Sequence, residues 1–600
     1  MIKVSDYIAK TLVKHGISHV FMVTGGGAMH LNDSLGKHPQ LSCTFNHHEQ
    51  ASAIAAEGYA RVSGKMAAVC VTSGPGGTNA LTGVYGAWTD SIPMLLISGQ
   101  VRYDTTVRST HLPLRQLGDQ EFDITKAAGA MTKYAEMVTN VSNIRYLLEK
   151  AIFLAKSDRP GPCWLDIPHD IQGAMVDEEN LQGFKRIYDD TPKVTQDTVK
   201  SVLASIKLSK RPVILVGPAV RASGSIDAFS ELIDLLNIPV VTAFNAHDAV
   251  ETNHRLYCGR PGTVGNRGGN FVVQNSDLLL VLGCRLDIRQ IGYNYQTFAR
   301  EAVKIVVDID PAELKKPTVS PDFPIQADIS DFIQQMLIAI DGDPLKHKYS
   351  WVDWCRKRND LYPAILPEYW NCKSLVNPYC FFEILGNRLD KDQITVCGNA
   401  SACIIPFQVL PVKRGQRLFS NSGSAPMGFD LPAAIGACIA SDRKRIVCIA
   451  GDGSIQMNLQ ELQTIVHNHL PIKLFVLNNG GYHSIRQTQN SFFGGPLVGC
   501  DPESGVSFPD MERIAYAYNI PFTRCSAHTN IGDDIDDTLS SPGPRICEVM
   551  LTHDQPFAPK AASKRLPDGR MVSKPLEDMA PFLDRDEFLE SMLIKPIEEP

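Results

Sequence analysis

Residues 446–482 read IVCIAGDGSIQMNLQELQTIVHNHLPIKLFVLNNGGY, and this stretch decides the fold. Ile446–Ala450 is a short, wholly apolar run of the kind that forms a strand buried on both faces. It ends in Gly451-Asp452-Gly453-Ser454, after which Ile455, Leu459, Leu462 and Ile465 recur at helical spacing. A second apolar run, Ile472–Leu477, ends in Asn478-Asn479-Gly480-Gly481. Strand, helix and strand in this order make one right-handed βαβ unit. Asp452 and Asn479 lie 27 residues apart, which places both at the carboxyl ends of adjacent strands. Open α/β sheets bind ligands at that edge.

The residue types at this edge point to a cation and an anion together. Glycines at a strand-to-helix turn let the backbone approach a ligand closely. A helix N-terminus offers unpaired N–H groups and a positive dipole end to an anion such as phosphate. An aspartate in the same turn repels bare phosphate, unless a divalent cation bridges the two. Magnesium takes octahedral oxygen ligands and commonly shares one or two carboxylates with phosphate groups. Asp452 and Asn479 are the candidate protein ligands. The competing reading is two ordinary tight turns.

Outward from this stretch, apolar strands alternate with amphipathic helices in three blocks. Met66–Val71 and Met94–Ser98 are strands of the first. Val213–Gly217, Ile238–Ala243, Leu278–Gly283 and Ile305–Ile309 belong to the second, and Ile446–Ala450, Ile472–Leu477 and Ile546–Leu551 to the third. The expected architecture is α/β, with three doubly wound parallel-sheet domains at 1–175, 196–341 and 378–555 and a C-terminal tail at 556–600. The polar stretch Val176–Thr195 and the segment Gly342–Asn377 read as linkers. The tail turns acidic from Glu577 to Glu599, which favours a strap over the protein surface rather than a basic membrane-binding helix.

With 600 residues, 44% of them hydrophobic and 20% charged, the chain has ample core for several domains. Its formal net charge of -7 gives no electrostatic footprint for nucleic acid. Apolar runs such as Met94–Ile97 fall far short of the roughly 18 residues that cross a bilayer. The start of the chain, with Asp6 among Val4, Tyr7, Ile8 and Leu12, does not read as a secretion signal. Fifteen scattered cysteines without a C-x-x-C pair read as reduced thiols of a cytoplasmic protein.

Gly-Asp-Gly followed some 25 residues later by Asn-Asn resembles the thiamin-diphosphate binding motif. The resemblance implies that Asp452, the Asn479 side chain and the Gly481 carbonyl hold Mg2+, and that Gly451, Gly453, Ser454 and Tyr482 meet the cofactor. This cofactor needs a carboxyl group on its pyrimidine ring, far from the phosphate site. Glu49 qualifies: it opens an alanine-rich helical stretch (Ala51, Ala53, Ala55, Ala56, Ala60), where it also suits a plain first-turn acid. Its surroundings are Asn46-His47-His48-Glu49-Gln50, Glu57-Gly58-Tyr59-Ala60-Arg61, Thr72-Ser73-Gly74-Pro75-Gly76-Gly77 and Asp90-Ser91-Ile92-Pro93. Together they resemble the pyrimidine-binding domain of the acetohydroxyacid synthase (acetolactate synthase) family.

That resemblance makes Glu49 the activating acid and sets Gly25, Gly26 and Thr72 against the cofactor. Gln120 falls at the family's substrate-pocket glutamine. Ser422–Ala434 matches the segment that holds the cofactor bent, with Met427 under the bend and the Ala425 carbonyl as an acceptor. Gly398, Asn399 and Ser401 fall near the diphosphate, and Arg289 at the position that meets the second substrate. For His47 and His48, proton shuttle and structural role both stay open. The family also implies a homodimer or homotetramer with active sites shared between chains, acting on a 2-keto acid and a second carbonyl.

Three departures qualify the resemblance. Thr488 stands where the biosynthetic enzymes have a tryptophan that narrows the acceptor pocket. The tail is longer. Gly259-Arg260-Pro261-Gly262-Thr263-Val264-Gly265 lacks the Met-His pair of the family's flavin segment, which leaves FAD open. The expected activity is a carboligase that decarboxylates pyruvate or a similar 2-keto acid and transfers its acyl unit to a carbonyl, as in acetolactate formation. The alternatives are transfer onto a bulkier ketone such as a nucleotide-linked keto-sugar, and a flavin-linked 2-keto acid oxidase. A relative with a dead site would have lost Glu49, Asp452 or Asn479, and none is lost.

Overall fold

The computed structural model describes residues 1–185, 191–342, 344–345, 349–372, 374–565 and 569–597. Part of the first linker, together with Pro567, Asp568 and Glu599 of the tail, therefore lies outside the described residues.

The first domain is a six-stranded parallel sheet of β1 (His19–Met22), β2 (Ser42–Phe45), β3 (Ala67–Val71), β4 (Met94–Gln100), β5 (Tyr134–Met137) and β6 (Pro162–Pro168). Their order across the sheet is β2-β1-β3-β4-β6-β5. The central domain has β7 (Pro212–Val216), β8 (Val240–Thr242), β9 (Leu278–Leu282), β10 (Val303–Asp308) and β11 (Phe323–Gln326) in the order β8-β7-β9-β10-β11, again all parallel. The third contains β12 (Ile394–Cys397), β13 (Arg417–Phe419), β14 (Ile446–Gly451), β15 (Ile472–Asn478), β16 (Phe522–Cys525) and β17 (Arg545–Met550). Its order, β13-β12-β14-β15-β17-β16, repeats that of the first domain strand for strand. Strands β3, β9 and β14 are buried along their apolar runs, as sheets covered by helices on both faces require.

Each of the nine strands read from the sequence is present, with ends shifted by a few residues. The eight others of these sheets are short, half-exposed, or carry polar residues. β2 (SCTF) and β16 (FTRC) are sheet-edge or near-edge examples whose pattern is too brief to separate from a loop.

Two segments outside the sheets are well packed. Within 342–377 a helix, Tyr349–Leu361, covers the central sheet: the Trp351 indole donates to the Pro212 carbonyl at 3.0 Å and Cys355 is fully buried. The tail is a strap over the central domain. The Ala561 amide donates to the Thr263 carbonyl at 2.7 Å, Leu576 is buried in the central core, and buried Glu577 pairs with Arg300 at 2.7 Å.

The first and third domains meet through two helices. Helix α1 (Glu49–Ser63) follows β2 and carries the alanines; α2 (Pro75–Thr89) follows β3 and packs beside it. Helix α3 (Asp430–Ala440) of the third domain lies against α1. Small residues make the crossing close: a Cβ on Gly436 would stand 1.8 Å from the Ala55 carbonyl oxygen, and one on Gly58 2.2 Å from that of Ala433. Only hydrogen fits at either position. Gly436→Ala is expected to force the helices apart and destabilise the chain by about 1–3 kcal/mol, the usual cost of overpacking, read as a lower urea midpoint.

Candidate functional site

The carboxyl ends of β14 and β15 lie side by side, Gly451 opposite Leu477. The loop after β14 turns at Gly453, where a Cβ would come within 2.4 Å of the Tyr482 ring, so glycine alone fits. A four-residue 3-10 turn, Ile455–Asn458, follows instead of an α-helix, and the helix proper, α4 (Glu461–His467), begins later. The anion-binding donors of this turn are therefore loop amides more than a helix end.

Asp452 is 5% exposed. Its Oδ1 accepts from the Gly453 amide at 2.9 Å, and its Oδ2 from the Asn479 and Gly481 amides, each at 3.1 Å. Burial pushes this carboxyl up to about 6, against the pull of those amides. Asn479 is equally buried, and its side-chain Oδ1 has no hydrogen-bond partner among the described residues. Leaving a buried carbonyl oxygen unpaired costs about 1–3 kcal/mol. A buried carboxylate beside an orphaned oxygen is the donor set that a hard cation satisfies. Among the described residues no group of three or more His, Cys, Asp or Glu side chains could hold a metal alone. A cation here would draw its remaining oxygens from main-chain carbonyls and a bound phosphate.

A cavity of about 290 Å3 opens onto this pair. Gly398, Asn399, Ser401, Ala425, Met427, Gly451, Asp452, Gly453, Ser454, Asn479, Gly481 and Tyr482 all line it, and Arg289 joins them from the central domain. Ser401 Oγ accepts from Asn479 Nδ2 at 3.4 Å, and Asn399 Nδ2 reaches the Ala425 carbonyl at 3.5 Å. The Ser454 hydroxyl is committed within the protein. It donates to Asp430 at 2.6 Å and accepts from the Gly428 amide at 2.9 Å. Arg289 stacks its guanidinium 4.8 Å from the centre of the Phe244 ring and has no carboxylate partner among the described residues, so its charge is available to an anion.

The remaining candidates fall in two places. Glu49, Gly25, Gly26, Thr72 and Gln120 gather at the strand ends of the first domain and are not part of the cavity lining. There the Asn79 amide donates to Glu49 Oε2 at 3.0 Å, and Thr72 Oγ1 accepts from the Gly27 amide at 3.1 Å. A Cβ on Gly25 would meet Thr72 at 2.5 Å, whereas one on Gly26 would meet open space. Gln120 is exposed with φ 59°, its carbonyl beside Gly74. His48 caps α1, its Nδ1 accepting from the Gln50 amide at 3.0 Å, and the His47 amide donates to Glu461 at 2.9 Å. Thr488 sits on the exposed side of helix α5 (His483–Phe492), with its hydroxyl bonded back to the Ser484 carbonyl at 3.0 Å.

Sequence reasoning missed Phe244, His483 and Ile485 of the lining. Phe244 lies just beyond strand β8, and strand-end loops are the signal that could have found it.

The segment that matches the family's flavin segment turns its polar groups at 260–263 inward. Arg260 is 3% exposed; its guanidinium donates to Tyr257 Oη at 3.0 Å and to the Phe407 and Leu410 carbonyls at 2.8 and 2.6 Å. Pro261 has no N–H. The Gly262 amide goes to Asn270, the Thr263 amide and hydroxyl to the Arg289 carbonyl, and the Thr263 carbonyl to the tail. The polar groups at 260–263 are thus spent inside the protein.

Comparison with known proteins agrees with this layout. Family models described as the N-terminal TPP binding, central and C-terminal TPP binding domains of thiamine pyrophosphate enzymes match residues 2–126, 199–336 and 398–549. Acetolactate synthase 1, chloroplastic, of Zea mays is 31% identical over 573 residues, which is 94% of this chain and 87% of that protein. The acetolactate synthase large subunit of Lactococcus lactis is 29% identical over 560 residues (92% and 93%). The isozyme 1 large subunit of Escherichia coli K12 is 29% identical over 565 (93% and 96%).

Asp452→Ala is expected to abolish magnesium-dependent binding of thiamin diphosphate rather than slow turnover alone. Calorimetric titration checks it; unchanged affinity would sink the assignment of Asp452.

Proposed function

The chain belongs to the acetolactate synthase family of thiamine pyrophosphate enzymes, and we propose that it is a carboligase. A 2-keto acid such as pyruvate loses carbon dioxide, and its acyl unit joins a second carbonyl to give a 2-hydroxy-2-acyl product. One proton is taken up and one carbon dioxide leaves per turnover. The observation that carries this reading is the buried Asp452 carboxylate beside the orphaned Asn479 oxygen, in a cavity that also presents the Arg289 guanidinium, which has no carboxylate partner among the described residues.

Thiamin diphosphate, when bound, supplies the carbanion chemistry. The protein's part is to bind, orient and shield. Asp452, Asn479 and the Gly481 carbonyl would hold Mg2+ against the diphosphate. Glu49, oriented by Asn79, would hold a proton at the pyrimidine nitrogen. Arg289 suits a substrate carboxylate or phosphate, which a guanidinium fork binds bidentately.

Glu49 is fixed to the third domain of its own chain through α1 and α3 and stands outside the cavity lining. This supports a site completed by a second copy, in a homodimer or homotetramer. Apolar residues exposed around Gln120 (Leu112, Leu114, Leu117, Phe122) and on and beyond α5 (Ile485, Phe492, Phe493, Val498) supply surface for such contacts. A small-molecule enzyme of this kind needs neither nucleic acid nor membrane, and no helix among the described residues is long and apolar enough to cross one. Thirteen of the fifteen free thiols are buried, in keeping with a cytoplasmic setting.

For the acceptor, overall similarity favours a second keto acid. The exposed Thr488 leaves room for a bulkier ketone, such as a nucleotide-linked keto-sugar. Its hydroxyl is already donated to Ser484, so size rather than a new donor would decide. The oxidase alternative loses support from the committed flavin segment.

Two experiments test these readings. Glu49→Gln mixed with Asp452→Ala under subunit exchange should regain activity that neither variant shows alone; no recovery would argue against shared sites. Thr488→Trp should shift the ratio of kcat/KM values toward pyruvate over a bulky keto-sugar, by an amount equivalent to about 1–3 kcal/mol. An unchanged ratio, with efficient acetolactate formation by the wild type, would leave the plain acetolactate reading.

A further inference from the structure

Helix α1 carries a second buried acid that the proposed chemistry leaves unused. Glu57 is 1% exposed and lies two turns beyond Glu49. Arg61 pairs with its Oε1 at 2.8 Å and with Asp90 at 2.5 Å, one guanidinium shared between two buried acids. The other partner of Glu57 comes from the third domain. Asn421, also 1% exposed, directs Nδ2 at Glu57 Oε1 and Oε2, at 3.0 and 3.2 Å.

The chemistry of this pair fixes an orientation. The Ser424 and Ala425 backbone amides can only donate, so the Oδ1 end of Asn421 must face them and its NH2 end faces α1. The Oδ1 end is then turned the other way, where it accepts from the Ser424 and Ala425 amides at 3.0 and 3.3 Å. Ala425 has φ 48°, a left-handed conformation that a side chain disfavours and that persists only when its surroundings impose it. Ala425 and Met427 line the cavity, and the Ala425 carbonyl is the atom that Asn399 reaches. The pair also has no slack. Gly86 of α2 packs so closely that a Cβ there would stand 2.9 Å from Asn421 Nδ2 and 3.1 Å from Glu57 Oε2. A second acid of the first domain, Asp90, fixes the intervening residues by accepting from the Ser422 and Gly423 amides, each at 2.9 Å.

We propose that Glu57 is a positioning residue for the cofactor cradle: through the Asn421 side chain it holds Ala425 in its left-handed turn and so sets the cavity wall from Ala425 to Met427. This rests on the reading that the cavity takes thiamin diphosphate. Helix α1 then serves two sites at once. Its first residue, Glu49, acts in the site completed with another copy, while Glu57 shapes the cradle of its own chain.

In Glu57→Gln one of the two oxygens that Asn421 Nδ2 contacts becomes an NH2 group, so that half of the contact turns from attraction to donor–donor repulsion and the negative charge is lost. In Asn421→Asp two carboxylates oppose each other. The double variant, Glu57→Gln with Asn421→Asp, exchanges the two groups: the side-chain amide now on α1 donates to the carboxylate of the third domain. The other oxygen of that carboxylate again accepts from both backbone amides. The readouts are the Kd for thiamin diphosphate with magnesium and the rate of C2 proton–deuteron exchange in the bound cofactor at saturation. Each single variant is expected to weaken binding and slow exchange by about tenfold or more, and the double variant to return to within about threefold of wild type, as a directly coupled pair should.

Singles indistinguishable from wild type would overturn the proposal. So would a double variant as impaired as the singles, since loss of packing alone is not restored by exchanging amide and carboxylate. If a single variant fails to fold, the double variant decides by the same criterion. A wild-type protein that binds no thiamin diphosphate would overturn the cofactor reading and this inference together.

Discussion

The contact between α1 and α3 is the constraint on which the rest of the arrangement depends. Two helices from different domains approach until backbone meets backbone, at Gly58 over the Ala433 carbonyl and Gly436 over that of Ala55. At such separation each carbonyl is a rigid wall, and the relative position of the two sheets has little freedom. Both ends of α1 are then tied to the third domain. At the start, buried Glu461 accepts from Asn46 Nδ2 and the His47 amide, both at 2.9 Å; at the end, Arg417 donates to the Arg61 carbonyl. Glu49 therefore has one place relative to its own diphosphate-binding half, and that place is away from its own cavity.

Electrostatics at the cavity follow from burial. Asp452 and Asp430 are both pushed up to about 6, chiefly by desolvation, and they line or support the same loop system. Asp430 is satisfied locally by the Ser454 hydroxyl and the Leu431 amide. Asp452 has only backbone amides, and beside it stands the unpaired Asn479 oxygen. The two acids thus differ in what they still lack. One is held by a side chain as well as backbone; the other is held by backbone amides alone.

How much of this was legible in the sequence depended on the range of the interaction. The βαβ unit from 446 to 482 is local, so the period of its apolar residues and the two turn motifs sufficed to place Asp452 and Asn479 together. The strands at 42–45 and 522–525 were not legible because four residues carry too little periodicity. Arg289 entered only through resemblance, and its partner Phe244 not at all, since 45 residues of chain separate them and no local pattern signals the stacking. Glu57 stood in a quoted motif without a role. Its role depends on Asn421, 364 residues away, and on which end of an amide faces a carboxylate. The tail's length was visible, whereas its seat on the central domain depends on single contacts such as Leu576 and Glu577.

The repeated strand order adds a last step. In both outer domains the third strand ends in a glycine-containing turn, Thr72-Ser73-Gly74 after β3 and Gly451-Asp452-Gly453 after β14. One framework therefore presents the same sheet edge twice, and the two copies differ by their charged groups. The third-domain turn carries the carboxylate and suits a cation with phosphate. The first-domain turn carries none, and its acid, Glu49, comes instead from the helix after the second strand, beside Thr72 and Asn79. A ligand with a charged diphosphate end and a neutral, hydrogen-bonding ring end needs this division of labour. Each end meets an edge matched to its polarity, and two like edges can face each other only if the domains belong to separate copies or fold back on one another. The α1–α3 contact already uses the fold-back arrangement for packing, which is what motivates the proposal that a second copy completes the site.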